Sequence, residues 1–227
     1  MHGNICWPIK PENPCGKTLF LLLLDDKSYF MWLILLQAKS EAAEAVKRIQ
    51  TRIEAKCGKK MRVLHTDQGR EFTSASFGKY CDEFGVQRHL TAPYFSQQNE
   101  VVESQNQTIV RTTRSLLMMV GMLGRFWGDA VMTVVYLLNR SPTGSLDGEM
   151  PHETWYNKKP VVHHLRVFGC VVYMKVAHPN LAKLDPRGLK VVFIGYKPGS
   201  KTYRLYDPAK GRAQVSRDVI FDESTFW

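Results

Sequence analysis

At 227 residues the chain exceeds what one compact core usually needs and suits a mid-sized domain with a smaller companion. A composition of 44% hydrophobic and 23% charged residues excludes fibrous and disordered classes; apolar runs no longer than those at residues 19–24 and 29–36 exclude a membrane-spanning helix, so a soluble, intracellular protein with no membrane partner is expected. The formal charge is +10, and residues 158–227 hold 13 Lys and Arg against 5 Asp and Glu, a balance that favours a polyanionic partner.

In chain order, a short segment around Asn4 and a Pro/Gly-rich turn over residues 8–16 lead into residues 18–24, which read as a buried strand. Asp25-Asp26-Lys27-Ser28 supplies turn-forming side chains, and residues 29–36 form a second apolar run, so the two runs are expected to pair as an antiparallel hairpin. Three strands therefore open the fold. From Ser40 onward Ala43, Val46, Ile49 and Ile53 recur at helical spacing until Gly58 stops the pattern. Residues 61–65 predict a short strand running into Thr66-Asp67, residues 74–84 a helix and residues 86–90 another strand, a β-α-β rhythm that implies parallel pairing. Residues 97–120 read as a helix with Val102, Ile109, Leu116 and Val120 on one face. Glu103, Gln107, Arg111 and Arg114 share another, so one face packs while the other is left for chemistry. Residues 126–138 are apolar nearly all round, which marks a buried helix.

From Leu165 the pattern changes to short strands at residues 167–174, 191–195, 202–206 and 213–219, separated by Gly, Pro and Asp turns, as in a small β-barrel or β-sandwich. Pro, Gly and Lys cluster over 142–164, which gives a first domain over 1–145, a linker over 146–164 and a small β domain over 165–227. The five cysteines are odd in number, widely spread and without a C-x-x-C pair, against a disulfide framework or a zinc knuckle. No Cys or His stands at ligand spacing from His163, His164 or His178, which read as surface or turn residues.

Asp67 closes an internal strand and Glu103 stands on the helix after the next strand, with 35 positions between them. Such an arrangement can converge two carboxylates on one point, as two-metal phosphoryl transfer requires. Spacing alone favours the plainer reading, in which Asp67 caps a turn and Glu103 is a solvated helix charge. The flanking strings His65-Thr66-Asp67-Gln68-Gly69-Arg70-Glu71-Phe72 and Pro93-Tyr94-Phe95-Ser96-Gln97-Gln98-Asn99-Glu100-Val101-Val102-Glu103 resemble the second and third acidic motifs of retroviral and copia-type retrotransposon integrases. Phe126-Trp127, Leu138-Asn139-Arg140-Ser141-Pro142, His164-Leu165-Arg166-Val167-Phe168-Gly169-Cys170, Lys183-Leu184-Asp185-Pro186 and Val215-Ser216-Arg217-Asp218-Val219 resemble the copia group in the expected order, so the likeness covers nearly the whole chain.

The resemblance implies an α/β, ribonuclease H-like mixed five-stranded sheet with helices on both faces, followed by a small Src-homology-three-like barrel. It implies DNA integration by 3′-end processing and strand transfer on Mg²⁺ or Mn²⁺, DNA partners (element ends and target DNA), a homo-oligomer, and action in the nucleus after a cytoplasmic particle stage. It also implies that Asn99, Asn106 and Gln107, with Arg111 and Arg114 on the same helix, face DNA. The chain opens inside the expected first strand, as a fragment of a longer polyprotein or a truncated gene would.

In His2-Gly3-Asn4-Ile5-Cys6-Trp7-Pro8 the position of the family's first catalytic Asp is held by Asn4. An amide oxygen is a neutral ligand and lacks the second anionic oxygen with which a carboxylate bridges two ions, so impaired activity is expected. Asp25 is expected roughly four residues along from Asn4's strand partner, about 13 Å away, too far to share a metal, and a local turn role is expected of Asp25 and Asp26. Glu100 at a usual Gly, Gln68 and Arg70 for the usual Asn and Gly, and Trp7 for the Gly before Pro8 are further departures, the last expected to distort the first turn. The alternative function is a non-catalytic nucleic-acid-binding remnant of a retrotransposon polyprotein.

Overall fold

The structure is a computed structural model that describes residues 1–58, 60–90, 100–175 and 187–227, Glu100 in its backbone only. It divides into two compact units, Met1–Arg111 with Leu137–Pro160 and Thr112–Tyr136 with Val161–Trp227. Among the described residues no helix is long and apolar enough to cross a membrane.

The first unit is built on β1 (His2–Cys6), β2 (Leu19–Leu24), β3 (Met31–Leu36), β4 (Val63–Thr66) and β5 (Gln87–Leu90), in the order β3-β2-β1-β4-β5. The pairs β1–β2 and β2–β3 are antiparallel, and β1–β4 and β4–β5 are parallel, so the sheet is mixed, as expected. The hairpin register runs from Leu19 opposite Leu36 to Leu24 opposite Met31, and every residue of β2 is buried. Helix α1 (Ala42–Cys57) buries Ala42, Ala45, Val46, Ile49 and Ile53 in a core shared with Leu19, Leu21 and Leu23, each large aliphatic contributing about 1.5–3 kcal/mol. Gly58 ends it in the left-handed conformation at φ 62°, where its N–H reaches the Glu54 carbonyl.

The helix expected over 74–84 is α3 (Ala75–Glu83), and a short helix that was not expected, α2 (Arg70–Thr73), precedes it. Ser74 divides them because its Oγ accepts from the Phe77 N–H as an N-cap, so a helix starts at that point. Helix α4 (Glu100–Met119) follows; the first residues of its expected span lie outside the described residues. After α5 (Trp127–Leu138), the stretch expected as a linker contains α6 (Pro151–Tyr156), opened by a proline in the first turn. Its Trp155 is buried in the first unit's core, 4.8 Å from the Trp32 ring and 5.9 Å from Phe30. Asn139 ties the same segment to β3: its Oδ1 accepts from the Met31 N–H and its Nδ2 donates to the Met31 carbonyl, both at 2.9 Å.

The second unit carries an all-antiparallel sheet of β6 (Cys170–Lys175), β7 (Gly188–Tyr196), β8 (Tyr203–Asp207), β9 (Arg212–Ser216) and β10 (Val219–Phe226), in the order β10-β6-β7-β8-β9. Cys170, Val172, Val191, Phe193 and Leu205 form its core. The single strand expected over 213–219 is two strands, broken at Arg217-Asp218; the polar run after Val219 obscures β10 because only alternate residues turn inward. Gly169 takes φ 80°, and a Cβ there would stand 2.6 Å from Val120 Cγ2, so glycine is required.

Candidate active site

The parallel register sets His2 of β1 opposite His65 of β4, and their imidazoles stack at 4.6 Å, so both side chains leave one face of the sheet. Two residues further along each strand path stand Asn4 and Asp67. Alternation of side chains keeps them on that face, on neighbouring strands spaced about 4.8 Å apart. Asp67 is the first residue past the end of β4; it is exposed, and its Oδ1 accepts from the Gly69 N–H at 3.1 Å. That bond is the turn-capping role the spacing also allowed.

Helix α4 covers the same face. Asn106 Nδ2 donates to Asn4 Oδ1 at 2.7 Å, and Asn106 is only 7% exposed. Its own Oδ1 is buried without a hydrogen-bond partner among the described residues. The expectation that Asn106 faces DNA is corrected here: Val102, Asn106, Ile109 and Thr113 recur at intervals of four, three and four, which is the packed stripe of the helix, and all four are buried. Glu103 lies one turn before Asn106 and about 60° around the helix, at the rim of that stripe, and is exposed. Gln107, Arg111 and Arg114 are exposed, as the helix pattern predicts. Asn99, the preceding Pro93 to Gln98 string and His178 lie outside the described residues.

The two aspartates after β2 stay out of the site. Asn4 pairs with Leu22, so Asp25 is three residues beyond that partner, one fewer than expected. Asp25 Oδ2 accepts from the Ser28 N–H at 2.9 Å and from Ser28 Oγ at 2.7 Å, a local turn. Asp26 does more than shape the turn, because it pairs with His2 Nε2, and that bond holds its carboxyl down at about 2 from the usual 3.8. His65 in turn meets His89 of β5 edge to face at 4.9 Å; burial, then the neighbouring His2, lowers its pKa. This row of three histidines was not foreseen, although the two-residue spacings His2/Asn4 and His65/Asp67 carried its signal.

Motifs downstream prove architectural. His164 Nε2 lies 2.7 Å from Tyr136 Oη, and the Arg166 N–H donates to Tyr196 Oη at 2.9 Å. Tyr203 Oη donates to the His164 carbonyl at 3.2 Å, and Tyr136 and Tyr196 stack at 4.3 Å. His164, expected at a surface turn, thus belongs to an aromatic cluster of the second unit.

The donors at the candidate site are two carboxylates and one amide oxygen, all hard ligands suited to Mg²⁺ or Mn²⁺. Among the described residues no group of three or more His, Cys, Asp or Glu is placed to hold a metal, in keeping with an amide at position 4. In donor chemistry alone such a set would suit one divalent ion; bridging of two through position 4 does not fit a neutral amide whose oxygen already accepts from Asn106.

The integrase core domain model matches residues 2–96, and the retroviral polymerase SH3-like domain model matches residues 170–227. The chain is 37% identical over 99% of its length to the retrovirus-related Pol polyprotein from transposon TNT 1-94 of Nicotiana tabacum. It is 28% identical over 91% of its length to that from transposon RE1 of Arabidopsis thaliana. It spans 17% and 14% of these relatives. Among solved structures it is similar to a simian T-cell lymphotropic virus intasome in complex with a PP2A regulatory subunit. The TM-score is 0.56 at 14% identity, over 94% of this chain and 74% of that one, a likeness of fold. With a mixed ribonuclease H-like sheet, an antiparallel SH3-like sheet and copia-type polyprotein relatives along nearly its full length, the chain carries an integrase core domain and a retroviral SH3-like domain like those of retrotransposon Pol polyproteins.

Proposed function

We propose that this chain is a DNA-integrating polynucleotidyl transferase whose activity is impaired by Asn4. The observation that carries the reading is the bond from Asn106 to Asn4 at 2.7 Å, which ties α4 to β1 at the level of Asp67 and sets Glu103 on the neighbouring turn. Asp67 and Glu103 would hold a divalent cation, Mg²⁺ or Mn²⁺. When bound, such an ion supplies charge neutralisation at the phosphate oxygens during 3′-end processing and strand transfer. Asn4 lends an oxygen without a charge, so the site keeps two of three anionic ligands. Gln107, Arg111 and Arg114 line the exposed side of α4 and would meet the DNA backbone, with Asn99 named by the motif alone. The reading includes a homo-oligomer acting on element ends and target DNA in the nucleus; likeness of fold to an intasome chain supports assembly and DNA binding in general.

The test is Asn4→Asp in a Mg²⁺-dependent strand-transfer assay on element-end DNA. A carboxylate restores the missing charge and keeps the Asn106 donor in use, so product should rise at least tenfold over the unmodified chain. No gain would remove the catalytic reading and leave the second one, a non-catalytic nucleic-acid-binding remnant, which the basic balance of residues 158–227 favours.

A further inference from the structure

The end of the first sheet where Asp67 emerges also carries Trp7, which at 80% is the most exposed large apolar side chain among the described residues. Topology puts it there. Strand β1 runs parallel to β4 and antiparallel to β2, so Trp7 follows Cys6 at the end where Asp67 follows Thr66. Strand β3 finishes at that end too, and Lys39, three residues past Leu36, sets its Nζ 5.5 Å from the centre of the Trp7 ring. Trp7 lies three residues past Asn4, about 10 Å along an extended strand, an odd offset that turns it toward the face opposite Asn4 and Asp67 at the same end of the sheet. The Ile9 N–H donates to the Thr18 carbonyl at 2.7 Å, which ties the segment to the start of β2, and the indole lies outside.

We propose that Trp7 and Lys39 form a stacking platform for an unpaired nucleobase of a DNA end that passes over the end of the sheet where Asp67 emerges, a proposal that rests on the DNA-binding part of the reading above. An indole face open to water gains most from a flat aromatic partner, and only terminal or unpaired bases offer a free face, since bases within a duplex already stack on each other. The ammonium beside the ring suits the phosphate linked to such a base. An apolar protein partner suits the site less well, because the one contact recorded on the ring is the Lys39 ammonium and the segment after Trp7 carries exposed Lys10 and Glu12.

The experiment measures fluorescence anisotropy of the full chain with two labelled duplexes, one blunt and one ending in three unpaired nucleotides. Trp7→Ala should weaken binding to the frayed duplex roughly fivefold or more and leave the blunt duplex nearly unchanged, while Trp7→Phe keeps most of the preference. Lys39→Ala should weaken the frayed duplex less than Trp7→Ala does. Circular dichroism shows whether the exposed-site variants keep the fold. Equal binding of Trp7→Ala and the unmodified chain to both duplexes, or an equal loss on both, overturns the platform while leaving DNA binding intact. Binding of neither duplex by the unmodified chain overturns both readings. A change in sedimentation of Trp7→Ala without a change in DNA preference overturns the platform in favour of a protein contact.

Discussion

Two asparagines with similar burial are expected to respond differently to removal, because their hydrogen bonds are satisfied to different degrees. Asn139 uses both amide atoms on the backbone of Met31 at 2.9 Å, so truncation strands a buried N–H and a buried carbonyl of a sheet edge. Each unmet group costs about 1–3 kcal/mol, and Asn139→Ala should lower the urea unfolding free energy by roughly 2–4 kcal/mol. Asn106 makes one bond, to Asn4, and keeps its other oxygen buried and unpartnered among the described residues. Truncation there removes one bond but also one unmet acceptor, so Asn106→Ala should shift stability by less than about 1.5 kcal/mol. Equal losses in the two variants would mean that Asn106 is held by more than its bond to Asn4. The motif around Asn139 is visible in the sequence, but its partner lies 108 residues away, and such a distance leaves no trace in local spacing.

At the scale of elements, periodicity was most informative where one face of an element packs and the other meets water. The packed stripe and the exposed Glu103, Gln107, Arg111 and Arg114 of α4 follow from 3.6-residue spacing alone, and the β2–β3 hairpin follows from two apolar runs around an Asp-rich turn. Polar strands and short helices were hidden, because β10 reads as a loop and α6 is too brief to show a period. Asn106 was misplaced because the family resemblance sets its position against DNA, whereas helical spacing sets it on the packed stripe with Val102 and Ile109; spacing decided. A second buried polar contact hidden from local spacing joins α5 to β8, where Asp129 Oδ1 accepts from Arg204 at 2.8 Å and 3.1 Å. Burial nevertheless raises the Asp129 pKa, and Arg204 only partly offsets it. Below the usual value of 3.8 the carboxyl is protonated in folded and unfolded chains alike. As pH rises past that value the unfolded chain loses its proton first, so this group lowers stability progressively until it ionises in the fold as well. Arg204→Ala removes the offset and should make the loss between pH 4 and neutrality steeper, read as a larger fall in the thermal midpoint; Asp129→Asn in the same background should flatten it. A pH-independent effect of Arg204→Ala would show that packing of the guanidinium, rather than its charge, matters there.

For the molecule as a whole, charge separates two kinds of DNA contact that contact geometry alone would merge. Exposed Lys175, Lys190, Lys197 and Lys201 lie in the C-terminal third, which holds the basic excess, while Arg111 and Arg114 sit on the exposed side of α4. Each phosphate neutralised releases counterions, so the slope of log affinity against log salt falls by about 0.9 for every such contact. Replacing the four lysines with alanine should flatten the slope by about 3.6 units if that third carries the backbone contacts, and Arg111→Ala with Arg114→Ala by about 1.8 if α4 does. Arg204→Ala should leave the slope unchanged, because its guanidinium is already committed to Asp129. Trp7→Ala should lower affinity for the frayed duplex at every salt concentration without altering the slope, since stacking releases no counterions. A flat slope in the unmodified chain would mean that the basic excess serves no polyanion, and a slope that changes with Trp7→Ala would mean that the indole acts by placing a cation and not by receiving a base.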